Sequence, residues 1–572
     1  MKKILSYTKK YLPFLILTPI VLIVEVVLEV NIPTVAADII DIAIPSGDSS
    51  LIASYGGKLI LMALCSLLAG CVGVCCSSYG SVGFGSQLRK AVYDSIQKFS
   101  FDDIDKFKQS SLITRLTTDI DYIQQGLRMT LTMLIRAPFM MVAAAMMAYG
   151  INSDLFKVFL VATPLVLVLM VLVAVFAMGS FRLMLSKFDS LNDKAKEYLT
   201  NVRVVKSFVR EEHETEKFAI TNKELMDASI KIEGLLMFLM PLISLIAYGC
   251  NMAIYYFGGQ QVMLGSMQIG QLTAFVSYVG QILTGLIMAA MIFINFVRLK
   301  GSVDRVKEVL NTRSTIIDGL YEGKVEKGEI EFKNVCFRYD GASKDCIANA
   351  NFKIKAGETI GIIGSTGSGK TTLVQLIDRL YDVTSGEILI DNVNVKDYKL
   401  ANLRNSVGMV LQKNVLFSGS IKDNLLWGDI DASEQEIKEA CQIAQADEFI
   451  MTFPNGYDTD LGQGGVNVSG GQKQRLCIAR TLLKKPKIII LDDSTSAVDT
   501  YTDSTIREGL RNKLKGTTTI IIARRISSVM DADRVMVIDN GKIVAFDRPA
   551  VLEKENEIYK DIYQTQMKGV EA

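Results

Sequence analysis

Long apolar runs crowd the first 300 residues of this 572-residue chain and are missing from the rest. A membrane span needs about 20 consecutive, mostly apolar residues. Six stretches qualify, approximately 13–36, 58–83, 129–151, 157–180, 234–257 and 270–297. Inside a bilayer each must be helical, because every backbone N–H and C=O has to find its partner within the segment. The chain is too long for one hydrophobic core. Its 49% hydrophobic content and its mean hydropathy of +0.28 fit a membrane half joined to a soluble half.

Basic residues near the span ends set the orientation. Lys2, Lys3, Lys9 and Lys10 precede the first run, and the segments 84–128 and 181–233 are rich in Lys and Arg. The other connections are short and hold few cations. Both termini and two long loops are therefore expected on the cytoplasmic side, and the start MKKILSYTKK leads into an anchor rather than a cleavable signal. The long loops read as helices continuing out of the membrane, with turns at SLITRLTTDIDYI (111–123) and within EYLTNVRVVKSFVREEHETEKF (197–218). A net charge of +1 gives no ground for nucleic-acid binding.

Glu25, Glu29 and Arg136 fall inside spans, where a charge is costly and needs a cavity or a partner. They read as a pathway for cationic or amphipathic cargo or, with more weight, as internal pairing. Asn295 and its small neighbours suit a pathway-lining helix or plain helix packing. His213 is expected to be solvated and Trp427 to pack locally. The nine cysteines show no metal-ligand spacing and read as reduced packing residues.

Residues 1–305 thus form the membrane domain, 306–328 a charged, glycine-containing linker, and 329–572 a soluble α/β domain. In the last, the strand ETIGIIG (358–364) runs into GSTGSGKTT (364–372) and then a helical LVQLIDRLY. This is G-x-x-x-x-G-K-T between strand and helix, a phosphate-binding loop. Gly364, Gly367 and Gly369 let the backbone, with Ser365, Thr366 and Ser368, wrap phosphate oxygens at a helix amino terminus. Lys370 supplies charge at the β/γ-phosphates, Thr371 a hydroxyl for Mg²⁺, and Thr372 further support. Downstream, IIILDDSTSAVD (488–499) places Asp492 at the end of a buried strand, where its carboxylate can hold Mg²⁺.

Between these motifs stands NVSGGQKQR (467–475), and here the chain resembles the ATP-binding cassette (ABC) transporters. Ser469, Gly470, Gly471 and Gln472 look like that family's signature, which contacts ATP held by the opposite cassette. The resemblance implies that Tyr339 stacks on adenine, that Gln412 senses Mg²⁺ and contacts the membrane domain, and that Asp499 crosses a dimer interface. Six spans ahead of one cassette resemble an exporter-type half-transporter, whose coupling helices would lie near 111–123 and 197–205. The implied protein is a multi-pass component of the bacterial plasma membrane that exports drugs or other amphipathic compounds using ATP and Mg²⁺. Lipid or peptide export, or a non-hydrolysing ATP-gated role, are the alternatives.

Two positions depart from the family pattern. Asp493 stands where a glutamate usually polarises the attacking water, and Arg524 where a histidine usually holds the γ-phosphate. Aspartate is one methylene shorter, which withdraws the carboxylate by about 1.5 Å. A displacement of about 1 Å can cost on the order of 100-fold in rate. Arginine stays charged and cannot accept a proton. The pattern is similar to the degenerate-site subunit of heterodimeric multidrug exporters. It implies a second, non-identical half with an intact glutamate and histidine, whose site this chain's signature completes.

Overall fold

The computed structural model describes residue 4 and residues 6–494 and 498–568. Lys2, Lys3, residues 495–497 and the side chain of Asn295 lie outside the described residues. The chain forms two compact units, one of 1–96 and 110–312, the other of 97–109 and 313–572.

The first unit is helical. α1 (Leu12–Asp38) continues through a π-type turn at Ile39–Ala43, and α2 (Ser49–Ile96) follows. The short α3 (Phe101–Phe107) belongs to the second unit. After it come α4 (Thr118–Ile151), α5 (Lys157–Ser207), α6 (Glu211–Met237), α7 (Leu239–Met263) and α8 (Ile269–Asn311). With 48 residues, α2 is about 70 Å long and outruns a hydrocarbon core of about 30 Å.

Five helical segments among the described residues are long and apolar enough to span a membrane: Ser6–Ser46, Ser49–Ile96, Gln109–Ile151, Pro241–Met263 and Ile269–Ala289. The sequence expectation of six is not confirmed as a count. The sixth stretch, 157–180, lies in the continuous α5, whose described apolar piece is Lys157–Leu169. Several side chains of the stretch beyond it lie outside the described ones.

Glycine lets α1 and α2 pack closely: a Cβ on Gly80 would stand 2.6 Å from Leu15 Cδ2, and one on Gly73 would stand 2.8 Å from Leu22 Cδ2. α4 and α8 meet in the same way, Gly126 against Leu299. The intramembrane charges are paired: Arg136 reaches Glu25 at 3.2 Å and Glu29 at 2.9 Å.

The turns between the long helices differ from expectation. Within 111–123 one helix, Gln109–Leu116, gives way to α4 at a break at Thr117, and the longer non-membrane excursion of the chain is at 97–109. There Ser100 and Asp103 cap α3 reciprocally, and Lys108 ends it at φ +62°. The second turn, Phe208–Arg210 with Val209 at φ +52°, lies inside the expected 197–218.

The domain boundaries also move. α8 runs through residue 305 to Asn311, and residues 313–328, expected as a linker, belong to the second unit. Tyr321 bonds Asp397 O through its N–H at 2.8 Å, and Val325 is buried in the core.

That second unit carries two sheets. One is antiparallel, in the order β2 (Ile347–Ile354), β1 (Ile330–Phe337), β4 (Ser385–Ile390), β5 (Val393–Asn394). In the other, β9 (Arg534–Asp539), β3 (Thr359–Gly364), β8 (Thr518–Ile522), β7 (Ile488–Asp492) and β6 (Val407–Val410) run parallel, with β10 (Lys542–Asp547) antiparallel at the edge beside β9. Ile488–Leu491 are buried on both faces, which is why this strand reads as an unbroken apolar run. Its carboxyl end delivers Asp492 beside the loop that follows β3, as ligand sites in open α/β sheets do.

Candidate nucleotide site

β3 ends at Gly364, and the loop 365–369 leads into α9 (Lys370–Ile377). Gly369, at φ +99°, caps the helix, and a Cβ there would lie 2.8 Å from Cys346 O. Only glycine meets both demands. Ser365, Thr366 and Gly367 form the exposed rim. Lys370 folds back over the loop, donating from Nζ to Gly364 O at 2.9 Å and Ser365 O at 2.7 Å. Burial, and then the nearby Arg524 charge, hold its ammonium below the ordinary range. Ser368 Oγ is buried without a hydrogen-bond partner, an unmet polar atom inside a cradle built for oxygen-rich ligands.

Thr371 donates its hydroxyl to Asp492 Oδ2 at 2.8 Å. Asp492 is almost wholly buried, and burial pushes its carboxyl up, partly offset by that hydroxyl. A hydroxyl and a carboxylate side by side are a hard-oxygen pair suited to Mg²⁺. Thr371 and Asp492 would hold the ion, and it would neutralise phosphate charge. Gln412 would approach from β6.

Asp493 sits at φ +49°, a left-handed position that aspartate tolerates better than most residues. Its N–H bonds Ile522 O at 2.9 Å, and its O accepts from Gln474 Nε2 at 3.1 Å. Its carboxylate faces Arg524, with Nε 3.1 Å from Oδ2, and lies 3.5 Å from Gln412 Nε2. Arg524 thus contacts the carboxylate that the sequence reading expected in place of the family's glutamate.

Tyr339 lies over the loop helix, sharing a 2.9 Å hydrogen bond between its hydroxyl and Thr372 Oγ1. One ring edge packs on Tyr381 at 5.3 Å. Ser469 caps α10 (Gly470–Leu483) in a reciprocal box with Gln472, and Ser469 and Gly470 face solvent. An exposed helix start of this kind can meet an anion. Asp499 caps α11 (Thr500–Lys513) through Thr502 N at 2.9 Å.

The structure therefore gathers 364–372, Gln412, Asp492, Asp493 and Arg524 into one site and leaves Ser469–Gln472 at a separate surface. Sequence reading missed three participants. Gln474 is buried behind Asp493. Tyr381 donates its hydroxyl to Asp105 Oδ2 of α3 at 2.9 Å, joining that helix to the aromatic cluster around Tyr339. Asp539 lies 3.4 Å from Ser365 Oγ. Tyr381 and Asp105 are far apart in sequence, and nothing local links them.

The ABC transporter transmembrane region model matches residues 15–286, and the ABC transporter model residues 347–496. An uncharacterized ABC transporter ATP-binding protein of Bacillus subtilis, YfiB, is 36% identical over 569 residues, 99% of this chain and 98% of its own length. The chain belongs to the ABC transporters. Among other relatives of this ABC transporter is an uncharacterized ABC transporter ATP-binding protein of Mycobacterium tuberculosis, 36% identical over 91% of this chain and 90% of the relative. The ATP-dependent lipid A-core flippase of Syntrophus aciditrophicus is 32% identical over 84% of this chain and 80% of the flippase. A bacterial Atm1-family ABC exporter with ATP bound shares the fold, with a TM-score of 0.82 at 23% identity over 98% of both chains. The chain thus carries the transmembrane region and the cassette of an ABC transporter on one polypeptide and shares the fold of that exporter.

Proposed function

We propose that this ABC exporter is one half of a heterodimeric pump that moves drugs or other amphipathic compounds out across the bacterial plasma membrane, with both termini and the cassette on the cytoplasmic side. Residues 364–372 and Tyr339 bind Mg²⁺-ATP. Hydrolysis at this chain's own site is weak, and Ser469–Gln472 complete a competent site on an unlike partner that brings its own glutamate and histidine. The observation that carries the reading is the short Asp493 carboxylate 3.1 Å from Arg524. Reach and charge both count against it as a base: it stops one methylene short of the water, and a permanent cation sits on its lone pairs.

The test is ATP turnover by the purified chain alone and with its partner half. Slow turnover alone and brisk turnover together are expected. Brisk turnover and cargo movement by identical copies would overturn the heterodimer assignment. In the complex, loss of turnover on Asp493→Asn but not on the equivalent change in the partner would do the same.

A second reading, lipid export, draws support from the similarity to a lipid A-core flippase. Transfer of a fluorescent phospholipid between leaflets, measured beside dye efflux, separates the two.

A further inference from the structure

The last described helix, α12 (Glu557–Lys568), carries an apolar stripe that ends on an amide. Asn556 caps the helix, its Oδ1 accepting the N–H of Tyr559 at 2.9 Å. Tyr559, Ile562 and Tyr563 recur at helical spacing and share one face. Tyr559 is buried in one cluster with Ile363 of β3, Ala523 and Ile526, and Ile562 and Tyr563 pack against the same cluster. The next place on that face is Gln566, where the pattern calls for another apolar side chain.

Both ends of that amide are engaged. Nε2 donates to Arg524 O at 2.9 Å, and Oε1 accepts the N–H of Ile526 at 2.7 Å. The two bonds bracket Arg525 and hold the peptide group on each side of it. Further along, Ser528 donates its hydroxyl to Asp503 Oδ2 at 3.3 Å, and Ser527 O accepts from Arg507 at 3.1 Å, both from α11. The stretch after β8 is thus held by α11 at its far end and by α12 at the end that carries Arg524.

Arg524 Nε lies 3.1 Å from Asp493 Oδ2, and the preceding Asp492 bonds Thr371. The guanidinium charge also reaches the Lys370 ammonium. Two cations therefore meet at the mouth of one phosphate loop, an arrangement suited to an anion with more charge than one lysine balances. Lys370 is fixed by carbonyls of its own loop. The Arg524 side chain is 65% exposed, so its placement depends on its backbone. The phosphoryl group that ATP has and ADP lacks is the one that extends furthest from the loop, toward this second cation.

We propose that Gln566 is a positioning residue of the nucleotide site: by clamping the peptides around Arg525 it places Arg524, so that the carboxyl-terminal helix sets how strongly the site prefers a nucleoside triphosphate to a diphosphate. The proposal rests on nucleotide binding by residues 364–372 and is independent of which site hydrolyses ATP.

The test is displacement of a fluorescent ADP analogue from the purified full chain in nanodiscs, by MgATP and by MgADP. Gln566→Ala should lower the preference for ATP over ADP about fivefold, the worth of about one hydrogen bond. The isosteric Gln566→Glu removes the donor to Arg524 O and should do the same, which keeps the test available if the alanine variant fails to fold. In an Arg524→Ala background Gln566→Ala should change the preference no further, since a residue that acts through Arg524 has no effect without it. An unchanged preference in the folded variants overturns the clamp. So does an equal further loss in the Arg524→Ala background, which would mean that α12 braces the domain as a whole. Failure of the unmodified chain to bind ATP would overturn the functional reading together with the clamp, whereas ATP binding that Gln566 does not tune overturns the clamp alone.

Discussion

Changing Asp493 to glutamate should raise hydrolysis at this chain's own site about 100-fold, and adding Arg524→His should bring the gain to about 500-fold. The first figure comes from reach: one methylene restores about 1.5 Å, and a misplacement of that order costs about 100-fold, or about 2.7 kcal/mol of barrier. The gap between the two figures is the hold that Arg524 keeps on the carboxylate. Its Nε is 3.1 Å from Oδ2, but its side chain is 65% exposed. An ion pair in such contact with solvent is worth at most about 1 kcal/mol, a factor of about 5. Arg524→His alone should therefore gain no more than about fivefold. The assay is single-turnover hydrolysis in the assembled transporter, with the partner's catalytic glutamate changed to glutamine so that only this site is read. No gain from Asp493→Glu refutes the reach argument. Full recovery from Arg524→His alone would place the whole defect in the cation.

Three further outcomes are expected. Gly369→Ala, at φ +99° with a Cβ 2.8 Å from Cys346 O, should cost about 1–3 kcal/mol and abolish binding of a fluorescent ATP analogue; retained binding would contradict the tight-loop geometry. Burial pushes the Asp378 carboxyl, at the end of α9, up to about 7. Because this pKa is raised on folding, the native chain holds a proton that the unfolded chain releases, so stability from this group falls as pH rises from about 4 to 7, by up to about 1.4 kcal/mol per unit. Asp378→Asn should flatten that part of the pH dependence of thermal unfolding, and an unchanged slope would count against it. Tyr381→Phe removes the bond to Asp105 Oδ2 and should loosen α3, seen as faster proteolysis between residues 97 and 109, while ATP binding persists; equal proteolysis rates would show that the bond holds nothing.

The nucleotide site was legible because each of its parts has a local signature: a glycine-rich loop between strand and helix, and an apolar strand that ends on carboxylates. The contact between Asp493 and Arg524 was not, although both residues stood out as departures. Their meeting depends on β7 and β8 lying side by side in the sheet, which no local pattern announces. The first turn between long helices was misplaced for a different reason. The helices on either side of it are long and amphipathic, so periodicity runs on past the break. Ser100 with Asp103 three residues later is a capping signal that would have placed the turn.

The placement of α3 changes where this chain could be cut and recombined. Residues 97–109 sit amid membrane-unit sequence yet belong to the body that binds ATP. Ser100 Oγ meets Thr315 Oγ1 at 2.6 Å, and Thr315 N bonds Asp103 at 3.2 Å. A chimera that exchanged only the residues after 312 would leave the incoming cassette without its own capping helix and facing a foreign one. Interchange of motor modules between such transporters would then have to carry a thirteen-residue passenger from far upstream, which ties the inheritance of the two halves together.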